Sequence, residues 1–296
     1  MSLLILSAQD VDTITVALPS AELEALMASV FHCLSLGSHY ASPQRTSITM
    51  SHHTALFMPS WVEDIRTAIK VVSVPTSANN KHGLPASTIL LDKESRHVEV
   101  IVNVSALTAL RTAAATLRHL IGSVLATCLL LSELPSLLVT LSTGKQIEAH
   151  VDLHIHAFLS LKQCTIVNCS MRLALDDMTS IQSAIGHVNV ICMETSSTQP
   201  LFPSEWVLPG THLNLMGSFK LSMVKVDYGL ISQAEMIIVD SIEAGVIEAG
   251  ELIAASLNAG DMVGIGWLVE KWDCKDGLEE IQMRKGDVMV FKLHIV

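Results

Sequence analysis

The chain reads as an α/β protein, with a doubly wound parallel sheet in its second half and a mixed, strand-rich unit in its first. Three observations predict this. From Ser136 onward, strand, turn, helix and strand alternate at the spacing of right-handed βαβ units. Between Thr46 and Asn103, short β-rich runs are punctuated by Asn, Gly and Pro, the texture of a mixed or antiparallel sheet. The 296 residues, 50% hydrophobic but only 4% aromatic, suffice for two cores of aliphatic side chains.

The elements follow in order. Ser7 with Asp10 three residues on forms a helix-start box. A helix runs from Pro19 to Leu36, because Leu23, Leu26, Met27, Val30, Phe31 and Leu34 recur on one face of a 3.6-residue period, and Gly37 ends it. Strands are predicted at Thr46–Met50, Ala55–Met58, Ala68–Val74, Thr88–Leu91 and Val98–Asn103, with the longest turn at Ala78–Pro85. Ser105 to Leu131 is Ala- and Leu-rich and helical; Gly122 and Ser123, then Ser132, Glu133 and Pro135, break the apolar stretch from Leu120 to Leu141 before it could span a bilayer. Strand Leu137–Leu141, a turn at Ser142–Gly144 and a helix to about Leu159 open the parallel sheet. Strand Cys164–Asn168, helix Arg172–Ile185 and strands Val188–Met193, Thr211–Met216 and Met236–Val239 continue it.

Charge and cysteine usage narrow the function classes. Eighteen Lys and Arg against 29 Asp and Glu leave a net charge of −11, which argues against nucleic acid and against an anionic membrane surface as partners. The N-terminal apolar run of five residues lacks a positive flank and is too short for a signal peptide. Cys33, Cys128, Cys164, Cys169, Cys192 and Cys274 are dispersed without a CxxC pair, so reduced thiols in a cytoplasmic protein are expected.

Few residues stand out as chemistry. Ser142-Thr143-Gly144-Lys145-Gln146-Ile147 lies at a strand-to-helix turn, where a dinucleotide loop places three small residues; only the second glycine survives, as Gly144. A bare βα turn and a degenerate nucleotide loop both fit, and Lys145 stands where it could help an anion at the helix N-terminus. Arg45, Lys70 and Arg111 are scarce bases, the last two on otherwise apolar segments. A charge there is costly to bury unless an anion meets it, so the three either converge on a carboxylate or are unrelated surface or salt-bridged residues. His150 and His154 share a helix face at the spacing of a zinc pair, but no nearby carboxylate or cysteine completes a set, so no metal is expected. His52-His53 is expected to be structural or pocket-lining. G-x-S-x-G, HExxH, Walker and EF-hand patterns are all missing.

In order along the chain, several stretches resemble the ornithine cyclodeaminase/mu-crystallin family. They are Met58-Pro59-Ser60-Trp61, Ile69-Lys70-Val71-Val72-Ser73-Val74-Pro75 and Gly83-Leu84-Pro85-Ala86. The most distinctive is Leu107-Thr108-Ala109-Leu110-Arg111-Thr112-Ala113-Ala114. Gln146 with His150, Thr195 to Phe202, Trp206 to Ser218 and Val239-Asp240-Ser241 continue the match, and Glu248 to Leu252 closes it. The resemblance implies a Rossmann-type doubly wound sheet (residues 119–278) plus a mixed α+β substrate-binding and dimerisation domain (1–118, with 279–296 returning to it). It implies that Arg45, Lys70 and Arg111 hold the substrate carboxylate, with Lys70 and Arg111 catalytic. Ser142, Thr143, Gly144, Lys145, Gln146 and Thr195 would contact NAD(P)H, in a homodimer performing imine or ketimine reduction.

The sequence departs from the family's pattern at several of these places. Ser142 and Ile147 replace small residues of the loop, Asn168-Cys169-Ser170 stands where an Arg is usual, and Asn103-Val104 replaces Asp-Gly. Phe219 occupies the position of the acid used by the cyclodeaminase branch, which disfavours ornithine cyclisation. The family's C-terminal helix is expected to be missing or shortened. Two readings therefore stay open. One is an NAD(P)H-dependent imine reductase; the other is a scaffold that has lost the cofactor and performs a cyclisation, isomerisation or elimination, with Phe219 lining an apolar pocket. A small-ligand carrier is the third.

Overall fold

The computed structural model describes residues 3–37, 39–63, 65–76, 84–128, 135–142, 144–167, 178–218, 221–273 and 288–294. The chain divides into two compact units, Met1–Arg111 and Thr112–Ile295.

The first unit is a seven-stranded mixed sheet. It contains β1 (Leu4–Leu6), β2 (Tyr40–Ala41), β3 (Thr46–Thr49), β4 (His53–Val62), β5 (Arg66–Pro75), β6 (Ala86–Leu91) and β7 (Val98–Asn103), in the order β1-β7-β6-β5-β4-β2, with β3 also on β4. All pairs are antiparallel except β1 with β7. Helix α1 (Ala8–Val16) starts on the expected box: the Asp10 N–H donates to Ser7 Oγ, and the Ser7 N–H donates to the Asp10 carboxylate at 2.8 Å. Helix α2 (Ser20–Leu36) ends at Gly37 with φ 65°, the left-handed conformation that glycine adopts freely. Its expected apolar face is only half used. Leu23 and Phe31 are buried and Met27, Val30 and Leu34 half-buried, whereas Leu26 is 53% exposed.

Helix α3 (Ser105–Cys128) follows β7, and the division between the units falls within it, after Arg111. The second unit is a fully parallel seven-stranded sheet. Its strands are β8 (Leu137–Leu141), β9 (Gln163–Val167), β10 (Val190–Met193), β11 (His212–Ser218), β12 (Ala234–Val239), β13 (Val263–Gly264) and β14 (Val288–His294). They lie in the order β13-β12-β14-β11-β10-β8-β9. Helices α4 (Lys145–Ala157), α5 (Met178–Ile185), α6 (Tyr228–Gln233), α7 (Ile242–Glu248), α8 (Gly250–Ala254) and α9 (Ile265–Asp273) belong to the same unit. Strand β10 is buried at every position, as expected of a parallel strand covered on both faces. Ile191, Met193, Leu213, Leu215, Val239 and Val290 belong to one continuous core.

One boundary expectation is overturned. Val288–His294 does not return to the first unit; it inserts between β11 and β12, pairing Leu215 with Lys292 on one side and Val239 with Lys292 on the other. The physical reason is its run of seven buried residues, which needs cover on both faces and a ladder on both edges. Residues 279–287 and 295–296 lie outside the described residues, as do residues 172–177 of the helix expected at Arg172–Ile185, whose described part is α5. Among the described residues, no single helix is long and apolar enough to cross a membrane.

Candidate functional site

In the first unit, strand order brings the scarce bases together. Lys70 sits in the middle of β5, facing Met58 of β4 and Thr88 of β6 in register. Arg45 immediately precedes β3, on the far side of β4, and Arg111 lies two turns into α3 among the buried Ala109, Thr112 and Ala113. Burial, followed by the charges of Arg111 and Arg45, lowers the Lys70 ammonium to about 7. The two guanidinium groups are thus close enough to Lys70 to disfavour its charge. Such a gathering suits an incoming anion, and two guanidinium forks with one ammonium match a carboxylate.

In the second unit, the chain winds from β8 through α4 to β9 on one side and later places β10 on the other. The strand order therefore reverses between β8 and β10, and in open parallel sheets the carboxyl ends at that point form the ligand crevice. The turn Ser142–Gly144 and the loop after Met193 border it. Both described residues of the turn hold positive φ, 140° at Ser142 and 110° at Gly144. Serine thus occupies a conformation that favours glycine, so the turn has kept the loop's shape where it lost the loop's residue. A Cβ at Gly144 would meet nothing within 4 Å, no side chain caps α4, and Gln146 Oε1 is buried without a hydrogen-bond partner among the described residues. An open turn leading to an uncapped helix N-terminus fits a pyrophosphate. Lys145 is exposed on the first turn of α4. Ile147, in place of a small residue, is buried at 3% exposure and packs inward, so its bulk does not stand over the turn. Thr195 is two residues past β10; its Oγ1 accepts from the Ser197 N–H at 3.4 Å. Thr143, Asn168-Cys169-Ser170 and Phe219 lie outside the described residues.

The histidine pair has a local use. The carbonyl oxygens of Gln146 and His150 can only accept, so Nδ1 of His150 and of His154 must each carry a proton, donated at 2.7 Å. The His150 Nδ1 also lies 2.9 Å from Glu194 Oε1, and Glu194 is the first residue after β10. Burial, with the neighbouring His150, pushes His154 down to about 3, leaving a neutral ring in the core. Among the described residues, no group of three or more His, Cys, Asp or Glu could hold a metal ion. Cys33, Cys164 and Cys192 are free, and burial raises the Cys192 thiol to about 12.

Sequence reasoning missed the buried charges of this unit. Lys292 Nζ lies 2.6 Å from Glu251 Oε1, and both side chains are sealed from solvent. Lys225 beside them is also fully buried. Asp240 accepts the His294 main-chain N–H at 3.1 Å and approaches its Nδ1 at 2.8 Å, tying the end of β12 to the end of β14. A signal was present, because Lys225 and Lys292 are lone charges within apolar runs, as Lys70 is.

The class these features define is a Rossmann-type α/β protein with a separate mixed-sheet unit that carries a basic cluster. The chain belongs to the ornithine cyclodeaminase/mu-crystallin family, whose model matches residues 3–291. It is 28% identical over 228 residues to the ketimine reductase mu-crystallin of Rattus norvegicus, covering 71% of this chain and 69% of that protein. It is 25% identical over 216 residues to the Delta(1)-pyrroline-2-carboxylate reductase of Paracoccus denitrificans, covering 68% and 66%. Among solved structures, it resembles the Delta(1)-pyrroline-2-carboxylate reductase of Thermococcus litoralis in complex with NADH and L-proline. The TM-score is 0.78 at 21% identity, covering 98% of this chain and 92% of that one.

Proposed function

We propose that the protein is an NAD(P)H-dependent reductase of imines that carry a neighbouring carboxylate. The observation that carries this is the gathering of Arg45, Lys70 and Arg111 in a chain with only 18 Lys and Arg in all. In this reading Arg45 and Arg111 grip the carboxylate, which fixes the adjacent C=N group, and Lys70 holds both a charge and a proton beside it. Gly144, Gln146 and the first turn of α4 would receive the pyrophosphate, with Ser142, Thr143, Lys145 and Thr195 around it. The dinucleotide, when bound, supplies hydride to the imine carbon, and the imine nitrogen gains a proton, for which Lys70 is the donor. The relatives support reduction at C=N by their names; the non-redox cyclase or isomerase reading, the carrier and a lost cofactor find no such support. A homodimer pairing through the first unit would cover Ile5, Leu26 and Ile48, which one chain leaves exposed.

The test is to supply a cyclic five- or six-membered ketimine carboxylate with NADH or NADPH and follow loss of the reduced-nicotinamide absorbance. Turnover with either cofactor is expected, and none with both would overturn the reading. The pH profile gives a second, sharper expectation. Because the charged form of Lys70 grips the carboxylate and donates the proton, kcat/KM is expected to fall as pH rises through and above about 7. Lys70→Arg keeps the charge but holds its proton too tightly to give it up. It is expected to retain substrate affinity on the alkaline side while losing kcat, and an unchanged kcat would remove Lys70 as the donor.

A further inference from the structure

The carboxyl edge of the second sheet extends well past the nucleotide turn, and its far part holds a pair of residues that the turn does not use. In the cofactor reading, the adenosine half of the dinucleotide lies on one side of the switch point. The residue that meets its ribose stands about 20 positions past the glycine turn, at the end of the next strand. Here that strand is β9. The nicotinamide half then falls on the other side, over the ends of β10, β11 and β14, which lie next to one another in that order. From β10 to β14 is two strand spacings, roughly 10 Å, the span of one nucleoside.

His294 ends β14, opposite Ser218 of β11 in register. Its main-chain N–H donates to both oxygens of Asp240 at 3.1 Å, and its Nδ1 lies 2.8 Å from Asp240 Oδ1. The Ser241 N–H donates to the same Oδ1 at 3.0 Å, which holds the carboxylate itself in place. A carboxylate can only accept, so the His294 proton sits on Nδ1. The ring is thereby fixed in both orientation and tautomer. Its other nitrogen, Nε2, is sealed from solvent and has no hydrogen-bond partner among the described residues. A buried acceptor left without a donor is destabilising, yet the surrounding hydrogen bonds aim this one and keep it bare. Such a group calls for a donor that the chain itself does not supply.

We propose that His294 binds the nicotinamide end of the cofactor: its Nε2 accepts a hydrogen bond from the carboxamide N–H2, and Asp240 is the positioning residue that holds the imidazole for it. The inference rests on the reading that this crevice takes NAD(P)H. The carboxamide amine is the one nitrogen donor on that half of the dinucleotide and it cannot accept, so a bare ring nitrogen is its complement. The ribose hydroxyls, which donate and accept alike, place no such demand on a partner. Holding the carboxamide fixes the ring about its glycosidic bond, and with it the face that the ring presents to the imine.

The experiment titrates the full chain by calorimetry, without any imine, with NADH and with NADPH, and carries the tighter binder forward. Two relatives of that cofactor are titrated beside it. One is the reduced analogue with an acetyl group in place of the carboxamide, which keeps the carbonyl but lacks the N–H2. The other is the matching ADP-ribose, with or without its 2′-phosphate, which lacks the nicotinamide altogether. Wild type is expected to bind the acetyl analogue roughly five- to tenfold more weakly than the parent cofactor, the worth of one hydrogen bond. His294→Leu is expected to weaken the parent cofactor by the same factor, to bind parent and analogue alike, and to leave the Kd for ADP-ribose unchanged. The main-chain N–H groups of residues 241 and 294 still reach Asp240 in this variant, so the junction of β12 and β14 keeps most of its hydrogen bonds. An equal loss of ADP-ribose affinity would assign the ring a purely structural role and overturn the inference, as would an unchanged Kd for the parent cofactor. Wild type that binds the acetyl analogue as tightly as the parent would overturn it even if His294→Leu failed to fold. Wild type that binds none of these ligands would overturn the cofactor reading along with it.

Discussion

Alanine at position 111 is expected to lower kcat/KM for the imine carboxylate about a hundred- to a thousandfold. Truncating one partner of a largely desolvated, hydrogen-bonded charge pair costs about 3–4 kcal/mol in transition-state stabilisation. The loss should divide between KM and kcat, because the carboxylate contact both holds the substrate and aims its C=N group. The Kd for NADH measured without substrate should not move, since in this reading the turn at Ser142–Gly144, and not Arg111, receives the pyrophosphate. Arg111→Lys is expected to recover only part of the activity, as a single ammonium cannot reproduce two parallel hydrogen bonds. Steady-state kinetics and cofactor titration on the same preparation check both halves. An Arg111→Ala enzyme within about threefold of wild type would show that this guanidinium does not hold the substrate.

Replacing Lys292 by methionine is expected to destabilise the protein by about 3–5 kcal/mol. The cost comes from leaving the Glu251 carboxylate in a sealed site without its hydrogen-bonded partner, with only the charge of Lys225 still acting on it. Because buried pairs are often no more stable than apolar residues of similar volume, Lys292→Met combined with Glu251→Leu should recover most of the loss. Urea unfolding of the two single variants and the double variant measures this as a cycle, and a simple sum of the two single effects would refute coupling. The pair also has a pH signature. Lys292 and Lys225 hold the Glu251 carboxyl below its ordinary value against the opposing effect of burial. Its contribution is present above the unfolded-state value near 4.5 and is lost as pH falls through the lower folded value.

Much of the architecture was legible where periodicity and punctuation agree. The α1 box, the Gly37 stop and most strands of the βαβ alternation occur within one or two residues of expectation, whereas β4 runs four residues past the expected Met58, and β1 and β2 were not expected. The basic trio was legible as a list because charge on apolar segments is rare, although only the fold, through the β3-β4-β5 order for Arg45 and Lys70 and through α3 for Arg111, brings its members near one another. Strand β14 was not legible as a central strand. Val288 to Leu293 is an apolar run, but Lys292 interrupts it, and nothing local says that its neighbours are β11 and β12. The Glu194–His150 contact was hidden for a related reason: a glutamate after a strand reads as solvent-facing until α4 is seen to lie over it. Ser142 shows the opposite failure. Residue type argued against a nucleotide turn, while the backbone had kept the shape that the missing glycine would give.

The position of β14 also bears on how the protein is made. Its two partners are complete by Val239, yet the strand that joins them begins at Val288. While the intervening residues are synthesised, β11 and β12 each present an open edge of unpaired N–H and C=O groups, lined with Leu213, Leu215, Ile237 and Ile238. The nascent chain thus passes through a stage in which the sheet exists as two unjoined pieces with apolar flanks, a template for pairing with other chains. Joining them is a late, long-range event governed by loop closure rather than by local preference. Yield in cells should therefore respond to chaperone supply during translation more strongly than the stability of the finished protein would suggest.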